Sequence, residues 1–183
     1  MKAAIFIANG FEEIEALVPF DVLKRAGITV VTFGIDSKHI TGAHGLKIET
    51  DRYDAEYTPD FDVLILPGGM PGATNLASSK MVVNALLEQE KKNKLIAAIC
   101  ASPAVVLGPL GILEGKEATC FPGCDREFYP SFEFSNELVV KSKNLITGKG
   151  PGAAWNFSLE IINSLVMGQE AEKIIKSTYL PIV

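Results

Sequence analysis

Short unbroken apolar runs alternate along the chain with longer segments whose apolar positions recur at helical spacing. Residues 2–8, 28–33, 61–66 and 95–99 are of the first kind, with the length of strands buried on both faces of a parallel sheet. Residues 12–26 are of the second kind. Ile14, Leu17, Val18 and Val22 fall on one side, and Arg25 followed by Gly27 supplies a stop signal. Residues 79–92, 103–110, 153–167 and 170–178 predict further helices. A short strand is predicted at 117–121, and a hairpin from 138–140 and 145–147. Residues 37–51 give a weaker signal: Gly42 and Gly45 break the segment, and 46–50 alternate like an edge strand or hairpin arm. Strand–helix alternation without repeat or linker predicts one α/β domain over 1–183, a doubly wound, mostly parallel sheet with helices on both faces. Ligands of such sheets bind at the carboxyl ends of strands, near a switch in strand order.

The run 95–99 passes directly into Cys100-Ala101-Ser102-Pro103, so Cys100 sits at a strand-to-helix turn. A tight turn of this kind lifts one side chain clear of the backbone, as in a nucleophile elbow. Ala98 and Ser102 stand where the usual elbow has glycine, small but not identical. A thiol there meets unpaired N–H groups and the positive end of the helix dipole, which can lower a cysteine pKa from ~8.5 to roughly 3.5–7.5. The competing interpretation is a buried, inert cysteine.

Composition and charge narrow the field. A net charge of −5 and the lack of a basic run disfavour nucleic acid and anionic membrane surfaces as partners. No apolar run approaches the ~18 residues of a membrane span. The N-terminal apolar run is cut short by Asn9-Gly10 and by Glu12, Glu13 and Glu15, which argues for a first strand rather than a signal peptide. Three cysteines, an odd and small number, suit reduced thiols in a cytoplasmic setting. Cys120 and Cys124 lack a second ligand pair, so no metal is expected. His39 and His44 read as solvated loop residues.

Three loops leave predicted strand ends: the one bearing Glu12, Glu13 and Glu15, the one bearing Gly68-Gly69, and the turn at Cys100. If those strands are neighbours, a carboxylate, a glycine N–H and a thiol converge. Glu15, one turn into its helix, is placed to point back over the strand ends, while Glu12 and Glu13 suit the first turn electrostatically. A carboxyl partly desolvated beside a thiolate has a raised pKa and can carry a proton near neutrality.

Asn9-Gly10-Phe11-Glu12-Glu13-Ile14-Glu15, Leu66-Pro67-Gly68-Gly69, Ala97-Ala98-Ile99-Cys100-Ala101-Ser102-Pro103 and Gly150-Pro151-Gly152 together resemble the DJ-one/ThiJ/PfpI superfamily, most closely its DJ-one and YajL branch. The resemblance spans nearly the whole chain. It implies a flavodoxin-like sandwich, a homodimer and no cofactor. It also implies that Cys100 is an oxidisable nucleophile, that Glu15 hydrogen-bonds its sulfur, and that Gly69 offers a backbone N–H. Three departures matter. Ala101 stands where protease-like members carry histidine, which speaks against a peptidase. Phe121 stands where many relatives carry histidine before the proline. His44 falls where relatives often have an arginine lining the pocket. Any base chemistry therefore rests on Glu15, with His44, Gly68 and Phe121 as candidate pocket residues.

The leading expectation is an enzyme acting on small reactive dicarbonyls such as methylglyoxal, with Cys100 as nucleophile, Glu15 as proton carrier and the Gly69 and Ala101 N–H groups as oxyanion donors. The rival expectation is an oxidative-stress sensor or redox-regulated chaperone in which Cys100 oxidises to a sulfinic acid. A ligand-binding domain with an incidental thiol is the third.

Overall fold

The computed structural model describes residues 1–166 and 170–179. In chain order the elements are β1 (Lys2–Ile7), α1 (Glu13–Arg25), β2 (Thr29–Gly34), β3 (His39–Thr41), β4 (Lys47–Glu49), β5 (Arg52–Tyr53), β6 (Val63–Leu66), α2 (Gly72–Ser78), α3 (Lys80–Lys91), β7 (Leu95–Ile99), α4 (Cys124–Phe128), β8 (Val139–Ser142), β9 (Leu145–Gly148), α5 (Ala154–Leu165) and α6 (Glu170–Thr178). Seven strands form one sheet in the order β5-β2-β1-β6-β7-β9-β8, parallel throughout except for β8, which runs antiparallel to β9. The short pair β3–β4 is a separate antiparallel hairpin. Helices α1, α5 and α6 pack with one another, and α2 and α3 pack together beside the helical segment Pro103–Leu107 and α4. This is the doubly wound, flavodoxin-like α/β architecture, with one helical layer on each face.

Burial explains why the strands read as continuous apolar runs. Every residue of β6, and Ile96 to Ile99 of β7, is buried, because a parallel sheet covered on both faces has no polar side. From β1 the chain moves outward to β2, then returns to place β6 on the other side of β1. The switch in strand order therefore falls between β1 and β6, and the loops leaving their carboxyl ends face the same crevice. Those loops are stitched together: Glu12 N–H donates to Gly68 O (3.0 Å) and Gly72 N–H to Gly10 O (3.2 Å).

Several elements differ from the sequence expectation, each for a local reason. The predicted helix 79–92 starts at Lys80 and is preceded by α2, which the glycine- and proline-rich run before it concealed. Ser79 ends one helix and caps the next, its Oγ accepting from Val82 N–H (3.4 Å). The predicted strand 117–121 is reduced to a single bridge from Thr119 to Ser135, and the residues after it turn into α4. The helix expected over 103–110 is only Pro103–Leu107, wound so that Gly108 N–H reaches back to Pro103 O (3.0 Å). The helix expected over 153–167 ends at Leu165, and Met167 lies outside the described residues. The buried face of α1 carries Glu15, Ala16, Pro19, Val22 and Leu23, whereas Ile14 (49%) and Leu17 (39%) are exposed. The helix is thus rotated so that a carboxylate, not the apolar pair, faces inward.

Phe33 of β2 is fully buried against Phe6 (5.9 Å between ring centroids), Tyr57 (5.5 Å) and Phe61 (5.6 Å). Phe33→Ala empties the middle of this cluster and is expected to destabilise the fold by about 3–5 kcal/mol. A lowered denaturation midpoint with an unchanged m-value checks this.

Candidate active site

Cys100 occupies the turn after β7 with φ +65°, a left-handed backbone conformation that costs a residue with a side chain about 1–2 kcal/mol. The turn is pinned on three sides. Cys100 N–H donates to Gly148 O (2.9 Å), and Cys100 O accepts from Phe121 N–H (2.8 Å). The Ser102 hydroxyl donates to Pro67 O (2.6 Å), tying the end of β7 to the loop after β6. Ala98 and Ser102 are fully buried, so the elbow needs small side chains here even without glycine. The thiol itself is nearly enclosed, with 8% exposure.

Glu15 projects from the first turns of α1 into the crevice and is fully buried. Its Oε2 accepts from Gly68 N–H at 2.8 Å, and its buried Oε1 has no hydrogen-bond partner. The carboxyl and the Cys100 thiol lie close enough for each to alter the other's proton affinity. The Gly69 and Ala101 N–H groups also point at the Cys100 sulfur. Gly68 fits between the two functional groups only because it lacks a side chain. A Cβ there would stand 2.6 Å from Cys100 Cβ, 2.9 Å from Ala101 N and 3.0 Å from Glu15 Oε2. Gly69, at φ +85°, is equally constrained, since a Cβ would meet Glu12 N at 2.4 Å.

The electrostatics reverse one sequence expectation. Burial pushes Glu15 up to about 7, opposed by the Gly68 N–H and the thiol. Burial also pushes the Cys100 thiol up, and an ionised Glu15 adds to this, while the Gly69 and Ala101 N–H groups pull the other way. The helical segment behind the elbow has five residues, so its dipole is a weak lever. The thiolate is favoured when Glu15 holds the proton, because the charge repulsion then becomes an O–H···S⁻ hydrogen bond. The two ionisations are linked, since the charge on Glu15 sets how readily Cys100 gives up its proton.

Glu15, Cys100, Gly68, Gly69 and Ala101 are therefore brought together. His44 and Phe121 are placed differently. His44 Nδ1 lies 2.8 Å from Glu13 Oε2 and 3.7 Å from Glu12 Oε2, and its side chain is 72% exposed. Its ring is engaged with the outer carboxylates rather than hydrogen-bonded to Glu15 or Cys100. The Glu13 bond and the Glu12 charge raise its pKa; burial raises Glu13 in turn, but its bonds to the His44 ring and to backbone N–H groups together outweigh this and lower it. Phe121 holds the elbow through its backbone, and its ring is 44% exposed beside Gly150. The sequence argument missed the Glu13–His44 pair and the Phe121 and Gly148 backbone pins. None has a local signature, since each joins segments far apart in the chain. Glu12, Glu13 and His44 offer ligand atoms within 4.8 Å of one another and are the residues here that could hold a metal. Their direct hydrogen bond already accounts for that spacing.

Residues 1–164 match the family described as the DJ-1/PfpI family. A Danio rerio protein named Parkinson disease protein 7 homolog is 36% identical over 96% of this chain and 95% of its own length. The Arabidopsis thaliana Protein DJ-1 homolog B is 37% identical over 94% of this chain, which spans only 40% of that protein. A Caenorhabditis elegans protein named glutathione-independent glyoxalase DJR-1.2 is 34% identical over 90% of this chain and 88% of its own length. The solved structure of oxidized Toxoplasma gondii DJ-1 superposes with a TM-score of 0.91 at 33% identity, covering 99% of both chains.

Two outcomes test this site. A carboxyl held neutral to about 7, against an ordinary 4.5, keeps its proton in the folded chain after the unfolded chain has lost it. Its contribution is complete below about 4.5 and declines as pH rises to about 7, by roughly 3 kcal/mol in all. Denaturant titrations across that window should show this decline in the wild type and its absence in Glu15→Gln. Gly68→Ala should slow alkylation of Cys100 by iodoacetamide at least tenfold, because the added methyl displaces the elbow from Glu15.

Proposed function

The chain belongs to the DJ-1/PfpI family, and on that premise we propose that it is a cysteine-dependent enzyme converting small dicarbonyls such as methylglyoxal to hydroxy acids without glutathione. The observation that carries this reading is the buried Glu15 carboxyl, poised at about 7 against the Cys100 sulfur. The name of the Caenorhabditis elegans relative supports it.

The chemistry follows from the geometry. The Cys100 sulfur adds to the aldehyde carbon, and the new oxyanion takes hydrogen bonds from the Gly69 and Ala101 N–H groups. Glu15 passes its proton to that oxygen and, now a carboxylate, removes the proton from the former aldehyde carbon and returns one to the neighbouring carbon. The hemithioacetal has then become a thioester of the hydroxy acid. Water hydrolyses it, releasing lactate from methylglyoxal and restoring the thiol. A group with pKa near the working pH suits both halves of this transfer. His44, tied to Glu13, has no part in it. The Ala101 position leaves no imidazole beside the thiol and is at odds with peptidase chemistry.

A second reading has its own support. The relative solved in oxidized form, together with the N–H groups and the Glu15 carboxyl around Cys100, fits a sensor in which Cys100 becomes a sulfinate. For assembly we propose a homodimer of single-domain subunits. Ile14 and Leu17, exposed on α1, supply apolar surface for it. Three free cysteines fit a reducing, cytoplasmic setting.

Lactate formation from methylglyoxal without glutathione tests the reading. Cys100→Ser should abolish it, and Glu15→Gln should reduce kcat about 10²–10⁴-fold. Wild-type lactate no greater than that of the variants would leave the sensor as the surviving reading.

A further inference from the structure

The catalytic reading above uses one of three cysteines. The other two, Cys120 and Cys124, flank the turn Phe121-Pro122-Gly123, whose Phe121 N–H holds the carbonyl of Cys100. Both converge on the same atom. The Cys120 thiol donates to Phe121 O (3.5 Å), and Cys124 N–H donates to that same oxygen (3.1 Å). The Cys120 sulfur also accepts from the backbone N–H of Asp125, the residue directly after Cys124. The Cys120 sulfur therefore lies against a carbonyl that the Cys124 backbone also binds, and Gly123 at φ +98° folds the turn that brings the two residues there. The two differ in access: Cys120 is 4% exposed, and Cys124 is half-buried. A cavity of about 300 Å³ opens beside the turn, its lining including Cys120, Gly123, Asp125, Arg126, Asn136 and Lys149. The cavity gives small polar oxidants a way to the Cys120 sulfur, whose thiol the Asp125 charge raises and Lys149 lowers in smaller part.

We propose that Cys120 and Cys124 are a redox pair that closes a reversible intrachain disulfide under mild peroxide, independently of Cys100. Burial raises both thiols, Cys120 to about 12, so the more accessible Cys124 reacts first. The Cys124 thiolate attacks the outer oxygen of a hydroperoxide. The O–O bond breaks, Cys124 becomes a sulfenic acid, and the alkoxide takes up the released proton as an alcohol (water, for hydrogen peroxide). The Cys120 sulfur then displaces hydroxide from the Cys124 sulfur. An S–S bond forms, an S–O bond breaks, and the hydroxide leaves as water with the Cys120 proton. Two thiols supply the two electrons that the peroxide bond accepts. Because Phe121 lies between them, the state of this pair bears directly on the backbone that holds the elbow.

Trypsin cleaves after Lys94, Lys116 and Arg126, so Cys120 and Cys124 share the peptide 117–126 while Cys100 lies in 95–116. The full-length protein is treated with hydrogen peroxide, blocked with N-ethylmaleimide, digested and weighed. The proposal expects peptide 117–126 two hydrogens lighter and unlabelled, with both labelling sites restored by dithiothreitol. Cys124→Ser should remove the species, and Cys100→Ser should retain it. Full labelling of 117–126 while Cys100 is already oxidised, a cross-link joining 117–126 to 95–116, or loss of the species in Cys100→Ser would each overturn it.

Discussion

The burial of one carboxyl group governs how this molecule is arranged. Glu15 is taken wholly out of water, anchored through one oxygen to Gly68 N–H, with the other left facing the Cys100 sulfur. A carboxylate in such a place is expensive unless it is neutralised or well bonded, so the surroundings are set by its needs. Glycine at 68 gives the close approach, and α1 is turned so that Glu15 rather than Ile14 or Leu17 faces the sheet. The chemistry and the exposed apolar face of α1 thus share one origin.

Around this group the scaffold is stiff where it must be. The positive φ at Cys100 persists because Gly148, Phe121 and Pro67 hold the turn from three directions. The strand order places β1, β6 and β7 side by side, so their three carboxyl-end loops meet without any loop needing to be long. The Glu12–Gly68 bond and the contact of Gly72 with Gly10 close the crevice at the switch point. The Glu13–His44 pair at the rim ties up one outer carboxylate, while the Glu12 charge adds to the rise of Glu15.

Much of the fold was legible in the sequence, because buried parallel strands leave continuous apolar runs. Residues 61–66 and 95–99 contain β6 and β7, and 170–178 coincides with α6. Legibility failed where one residue serves two elements, as Ser79 does, or where a short helix follows a glycine-rich loop, as α2 does. On α1 the inward Glu15 was legible, but Ile14 and Leu17 were expected on the buried side with Val22 and are exposed instead, because the helix is turned to bury the carboxyl. The convergence of Glu15, Gly68, Gly69 and Cys100 was readable from loop positions at strand ends. The thiol's proton affinity was not, because it depends on burial and on the charge of Glu15 rather than on the helix start. Nothing near His44 in sequence announces Glu13 as its partner.

The central claim is that Glu15 carries a proton near neutrality because it is buried against Cys100. Carbon-13 NMR of a protein labelled at its glutamate carboxyls, with Glu15 assigned by its disappearance in Glu15→Gln, measures this directly. The account predicts a Glu15 carboxyl resonance that titrates with an inflection near 7. An inflection in the ordinary carboxylate range near 4.5 would contradict it.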